Sequence, residues 1–126
     1  MKKLLMLLIV ILTMTACMKD DPEVLLIKGH KDRLLNEMTL GEAFEKYFDK
    51  VSWKKDKGMD KEIYVDFKGI RYERDSKNEV VIHYKVSGDS FKFYGMEVNG
   101  EKKNYLSYMA LMSEVYLAAN SEEAKK

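Results

Sequence analysis

Residues 63–98 read IYVDFKGIRYERDSKNEVVIHYKVSGDSFKFYGMEV, and this stretch decides the fold. Ile63, Val65 and Phe67 alternate with Tyr64, Asp66 and Lys68, the period-two pattern of a strand with one buried face. Past Gly69 the apolar positions move to Ile70 and Tyr72, which predicts a bulge or bend at the glycine. Asp75-Ser76-Lys77-Asn78 reads as a turn. Val80, Ile82, Tyr84 and Val86 then alternate with Val81, His83 and Lys85, and Ser87-Gly88-Asp89 makes a tight connection to Phe91–Val98. A shorter strand-like segment, Val51 to Lys55, precedes them and carries the only tryptophan, Trp53. Four successive strands joined by short turns predict an antiparallel sheet.

Helical patterns flank the strands. Thr39 with Glu42 three residues on is a capping box, in which the hydroxyl accepts a free helix N–H and the carboxylate reaches back. Leu40, Ala43, Phe44, Tyr47 and Phe48 then recur on one helical face, which predicts a helix over about 40–50. Asn99-Gly100 breaks the last strand. A second helix is expected over 103–119, its stripe formed by Tyr105, Tyr108, Met109, Met112, Val115, Tyr116 and Ala119 and broadened by Leu106 and Leu111. The order predicts one α+β domain over 25–119: an N-terminal helix, a four-stranded antiparallel sheet and a C-terminal helix, with the helices packed on one sheet face. Val24 to Ile27 read as a short additional strand, and 120–126 as a polar, flexible tail.

The chain opens MKKLLMLLIVILTMTAC. Lys2 and Lys3 form a cationic start, Leu4 to Leu12 an apolar run, and small or uncharged residues lead to Cys17, the signature of an export signal over 1–16. A membrane-spanning helix needs about 20 apolar residues, and this run is too short. Met14-Thr15-Ala16-Cys17 resembles the bacterial lipobox, with Met14 in place of the usual leucine. The reading is a lipoprotein signal, with Cys17 acylated as the first mature residue and 17–24 a tether. Cys17 is the only cysteine, so no intramolecular disulfide is available to the chain. The expected address is the bacterial cell envelope, with the protein held on a membrane through the lipid on Cys17.

The formal charge of +1 becomes −1 once Lys2 and Lys3 are removed, and a near-neutral chain without a basic cluster does not suit nucleic acid. The run Lys54-Lys55-Asp56-Lys57 mixes signs and reads as a solvated edge. Chemistry-bearing residues are sparse. His30 sits in an expected loop, and His83 on the strand face opposite Ile82 and Tyr84. Glu42, Glu45 and Asp49 interleave with Lys46 and Lys50, as a solvated helix face does. No nucleophile-elbow serine and no phosphate-cradling glycine loop is present in the sequence. The expectation is therefore a non-enzymatic protein with no metal and no cofactor.

Aromatic residues are the surplus: eight tyrosines, five phenylalanines and Trp53. Along Phe91–Val98 apolar residues occupy both parities, which reads either as a bulge with core tyrosines or as an aromatic sheet face that binds a partner. Trp53, Tyr64, Tyr94 and Met96 are the candidate binding residues for another envelope protein. The alternative is a small ligand or envelope polymer, a glycan or peptide, stacked on Trp53 and the tyrosines. A hydrolase gains ground only where His83 and an acidic residue line one pocket.

Thr39-Leu40-Gly41-Glu42-Ala43-Phe44, followed by Trp53 and by Val65-Asp66-Phe67-Lys68-Gly69, resembles a T-x-G-x-A-F…W…V-x-F-x-G pattern in small exported bacterial proteins of unknown function. Ile27-Lys28-Gly29 resembles a lysine–glycine step upstream of it, so the resemblance spans roughly 27–70. It implies an exported or lipid-anchored domain and carries no activity or site residue with it.

Overall fold

The computed structural model describes residues 21–121; the expected signal peptide, Cys17 and the tail beyond residue 121 lie outside the described residues. The chain enters through helix α1 (Pro22–Lys28), where a tether and then a short strand were expected. Pro22 at the first helical position, Glu23 in the first turn and Lys28 in the last all favour a helix. Val24 and Ile27, one turn apart, are both buried in the core, a spacing that a strand would send to opposite faces.

A 3₁₀ turn (Arg33–Leu35) leads to helix α2 (Leu40–Tyr47). Thr39 Oγ1 accepts from the Glu42 backbone N–H at 3.2 Å, and Glu42 Oε1 accepts from the Thr39 N–H at 3.0 Å, closing the capping box. The helix stops at Tyr47, short of the expected residue 50, because strand β1 (Asp49–Lys57) begins at once. β1 pairs with β2 (Ile63–Glu73), β2 with β3 (Ser76–Ser87), and β3 with β4 (Ser90–Val98), all antiparallel.

The sheet has five strands, not four. Asn99 and Gly100 both hold positive φ, 53° and 82°, the requirement of the tight two-residue hairpin turn. Instead of merely ending β4, they return the chain as β5 (Glu101–Lys103), which pairs Glu101 with Val98 and Lys103 with Met96. Helix α3 (Tyr105–Ala119) consequently starts two residues later than expected, capped by Asn104, whose Oδ1 accepts the Ser107 N–H at 2.9 Å. The β2–β3 turn lies earlier than read, since Ser76 already pairs with Glu73.

The irregularity foreseen at Gly69 belongs to the facing strand. β2 stays in unbroken register with β3, whereas β1 carries an extra residue between Asp49↔Ile70 and Ser52↔Lys68, with Lys50 at φ 52°. Gly69 is small for a different reason: a Cβ there would lie 2.8 Å from Phe48 Cβ and 2.8 Å from Phe67 Cζ. A second bulge falls in β4, where Gly95 pairs with His83 but Phe93 with Tyr84, leaving Tyr94 as the extra residue. It explains the apolar residues at both parities: Phe91 and Phe93 face the helices before the bulge, Met96 after it.

The three described helices share one core with one face of the sheet. Val65, Phe67, Val80, Ile82, Tyr84 and Met96 meet Val24 and Ile27 of α1, Phe44 of α2, and Leu111, Met112 and Val115 of α3. Most of the aromatic surplus is spent here. Phe44, Phe48, Trp53 and Phe67 cluster beneath α2, and Tyr84, Phe91, Phe93 and Tyr108 beneath α3. The start of the expected flexible tail is tied down, with Asn120 Nδ2 donating to Leu34 O at 2.8 Å and Lys46 Nζ to Ser121 O at 2.8 Å.

Candidate functional site

The sheet face turned away from the helices is open, and alternation fixes what it displays. On β2 it carries Tyr64 and Asp66, on β3 His83 and Lys85, and on β4, past the bulge, Glu97. Three of these form a row across the central strands. His83 Nδ1 lies 2.6 Å from Asp66 Oδ1, and its Nε2 lies 2.8 Å from Glu97 Oε2. Since carboxylates only accept, the ring makes both bonds as imidazolium, with each N–H donating. Partial burial opposes the charge on His83, but the hydrogen bonds to Glu97 and Asp66 and the charges of both carboxylates outweigh it and raise the histidine above its ordinary pKa.

Beside this row the bulge turns Tyr94 outward, and its ring meets that of Tyr64 at 4.9 Å between centroids. The Tyr64 hydroxyl donates to Asp60 Oδ2 at 2.9 Å, and Asp60 Oδ1 accepts the Glu62 N–H at 3.1 Å, which fixes the loop between β1 and β2 against the sheet. The hydrogen bond to Asp60 is the main reason the Tyr64 phenol is raised above its usual value. Tyr64, Tyr94, Asp60, Asp66, His83 and Glu97 line a shallow groove of about 730 Å³, together with Met59, Lys102 and Lys103.

The four candidate residues from the sequence divide. Tyr64 and Tyr94 come together as the aromatic wall of the groove. Trp53 does not join them: it lies on the helical side, stacked on Phe44 at 5.7 Å and packed against the core. Its Nε1 is buried without a hydrogen-bond partner. Met96 also borders the groove, but it is 4% exposed and packs with the core. Asp66, Glu97 and Asp60 are the site residues that sequence reasoning missed. Asp66 and His83 share the outward parity in the sequence, a signal that could have been read, but the bulge at Tyr94 shifts Glu97 out of the simple count. Among the described residues no cluster of His, Cys, Asp or Glu is arranged to hold a metal ion. Cys17 lies outside the described residues.

No protein-family model, curated protein or solved structure matches this chain.

Proposed function

We propose that the protein is a lipid-anchored envelope lipoprotein that works by binding another envelope protein through the open face of its sheet, without catalysis. The observation that carries this reading is the groove itself, where an aromatic pair, an exposed methionine and charges of both signs sit side by side. Protein interfaces favour such a mixture of aromatic anchors and methionine within a polar rim.

The groove does place His83 with acidic residues, the condition that favours a hydrolase. Its geometry supports binding instead. A general base needs a free nitrogen facing a substrate proton, and both nitrogens of His83 already face carboxylates. Among the described residues no serine, threonine or cysteine lines the groove to act as a nucleophile. The glycan-stacking alternative loses its main platform, because Trp53 packs on the other side of the sheet.

The test is photocrosslinking in the cell from position 94, with position 45 on α2 as the control face. The reading expects one partner captured from position 94, lost on Tyr64→Ala and absent from position 45. Equal capture from both positions overturns it. The anchor is tested separately: Cys17→Ser is expected to release the protein from the membrane fraction, and normal retention overturns the lipoprotein reading.

A further inference from the structure

Helix α3 has one charged residue, Glu114, in fifteen, and that residue does not face outward alone. Glu114 is turned toward its neighbours, accepting from Tyr47 Oη at 2.8 Å and from Arg71 Nη1 at 2.9 Å. Leu111, Met112, Val115 and Ala119 take the buried side. With 3.6 residues per turn, Leu106, Ala110, Ser113 and Leu117 fall on the opposite pole, farthest from the core. Leu106 is 75% exposed and Leu117 72%. The sequence pattern placed Tyr105, Leu106 and Met109 in the packed stripe, yet all three are exposed. Helix α2 shows what water-facing positions in this domain otherwise carry, namely Glu42 and Glu45. Among the described residues nothing comparable covers the outer pole of α3, and its leucines form an apolar ridge along the helix.

Other exposed leucines belong to the same helical layer. The Asn120 bond to the Leu34 carbonyl fastens the exposed Leu34 beside the last turn of α3, and Leu25 of α1 is a further exposed leucine in the helical layer. Tyr105 and Tyr116 flank the ridge on the side facing β4, and Arg33 is exposed next to Leu34. An apolar ridge edged by tyrosines and a cation is the composition of a surface that settles at a lipid–water boundary.

We propose that the α3 ridge rests on the lipid surface, so that the helical layer faces the membrane and the groove faces away from it. The proposal builds on the reading of Cys17 as the lipid-bearing residue. Three residues separate Cys17 from the first described residue, Asp21, and the four residue steps between them span about 14 Å at most when fully extended. A domain tethered that closely must put some face against the bilayer. The tether enters at α1, which belongs to the helical layer and not to the open sheet face. The helical layer also carries the uncovered leucines, so entry point and apolar surface select the same face.

The test uses the full lipidated protein in vesicles of phosphatidylethanolamine and phosphatidylglycerol. Because the lipid occupies the Cys17 sulfur, Leu106→Cys, Leu117→Cys and Tyr94→Cys each offer a single free thiol for a spin label. All three positions are exposed, so the fold is expected to survive labelling. Labels at 106 and 117 are expected to relax several-fold faster with oxygen than with a water-soluble paramagnetic reagent, and the label at 94 the reverse. Equal water access at all three positions, with mass spectrometry showing the lipid on Cys17, overturns the ridge proposal alone. An unacylated Cys17 overturns the lipoprotein reading and the proposal with it. Spin–spin broadening at 106 that persists when the protein is diluted with extra lipid assigns the ridge to a second copy of the chain and also overturns the proposal.

Discussion

Tyr64 and Tyr94 meet across a strand that belongs to neither of them. Tyr64 is on β2 and Tyr94 on β4, and β3 runs between, yet their ring centroids are 4.9 Å apart. The β4 bulge makes this contact possible, because it inserts Tyr94 as an unpaired residue and turns its ring over β3 toward Tyr64. The same bulge restores inward parity for Met96 and outward parity for Glu97. One extra residue therefore builds the aromatic wall of the groove and delivers the carboxylate that completes the row with His83.

The two rings are expected to be energetically coupled. In a double-mutant cycle with Tyr64→Ala and Tyr94→Ala, read by urea unfolding, the coupling should be about 0.5–1.5 kcal/mol. Tyr64→Phe separates the ring contact from the hydroxyl bond to Asp60 and should retain the coupling to Tyr94. A coupling energy of zero would mean that the rings are adjacent but independent.

The row through His83 carries a pH dependence whose sign follows from the raised histidine. A group that binds its proton more tightly when folded stabilises the fold fully below its unfolded value, roughly pH 6.5, and loses that contribution as pH rises through the folded value. Relative to His83→Gln, the wild-type protein should be more stable by about 1 kcal/mol at pH 6, a modest figure because solvent reaches the row. The advantage should shrink steadily toward pH 9. Unfolding curves of both proteins across that range check it; a difference that grows with pH contradicts the charged row.

The hairpin at Asn99-Gly100 gives a third expectation. Gly100 has φ 82° and open space around it, so Gly100→Ala meets no clash and acts only through the backbone. The cost should be about 1 kcal/mol. Amide exchange should rise across Glu101–Lys103 while the core of β3 keeps its protection. Asn99 holds the turn in place by accepting the Glu79 N–H at 2.8 Å, so Asn99→Ala should show the same pattern of exchange.

Much of this architecture was legible because apolar alternation and capping are local signals. Ile63 to Phe67, Val80 to Val86 and the Thr39–Glu42 box each announce an element without reference to the rest of the chain. The misses share a physical cause, which is dependence on a partner. The β1 bulge at Lys50 shows only in its pairing with β2, where Phe48 sits over Gly69. Trp53 looks like a free aromatic until Phe44 stacks on it, and Met96 looks like part of a sticky strand until the bulge turns it inward. On α3 the periodicity cannot choose which apolar side is buried, since nearly every position is apolar; packing against α2 and β4 makes that choice. The groove was half visible, with both tyrosines found and its carboxylates overlooked.

The contact between Phe48 and Gly69 is a tight joint inside the core. Gly69→Ala places a methyl 2.8 Å from Phe48 Cβ and 2.9 Å from Phe48 Cγ, and neither atom is the free end of a flexible chain. Phe48 and Phe67 are both fully buried with ring centroids 4.9 Å apart, and Phe67 also meets Phe44 and Trp53. Moving Phe48 therefore disturbs the whole cluster beneath α2. Overpacking of this kind typically costs about 1–3 kcal/mol. Thermal or urea unfolding of Gly69→Ala should show that loss, whereas Gly95→Ala, whose Cβ would meet nothing closer than the His83 ring at 3.7 Å, should cost clearly less. Combining Gly69→Ala with Phe48→Leu separates the two explanations available for the glycine. If Gly69 is small to admit Phe48, trimming that ring should recover part of the lost stability despite the smaller core. If the backbone itself demands glycine, the two losses should simply add.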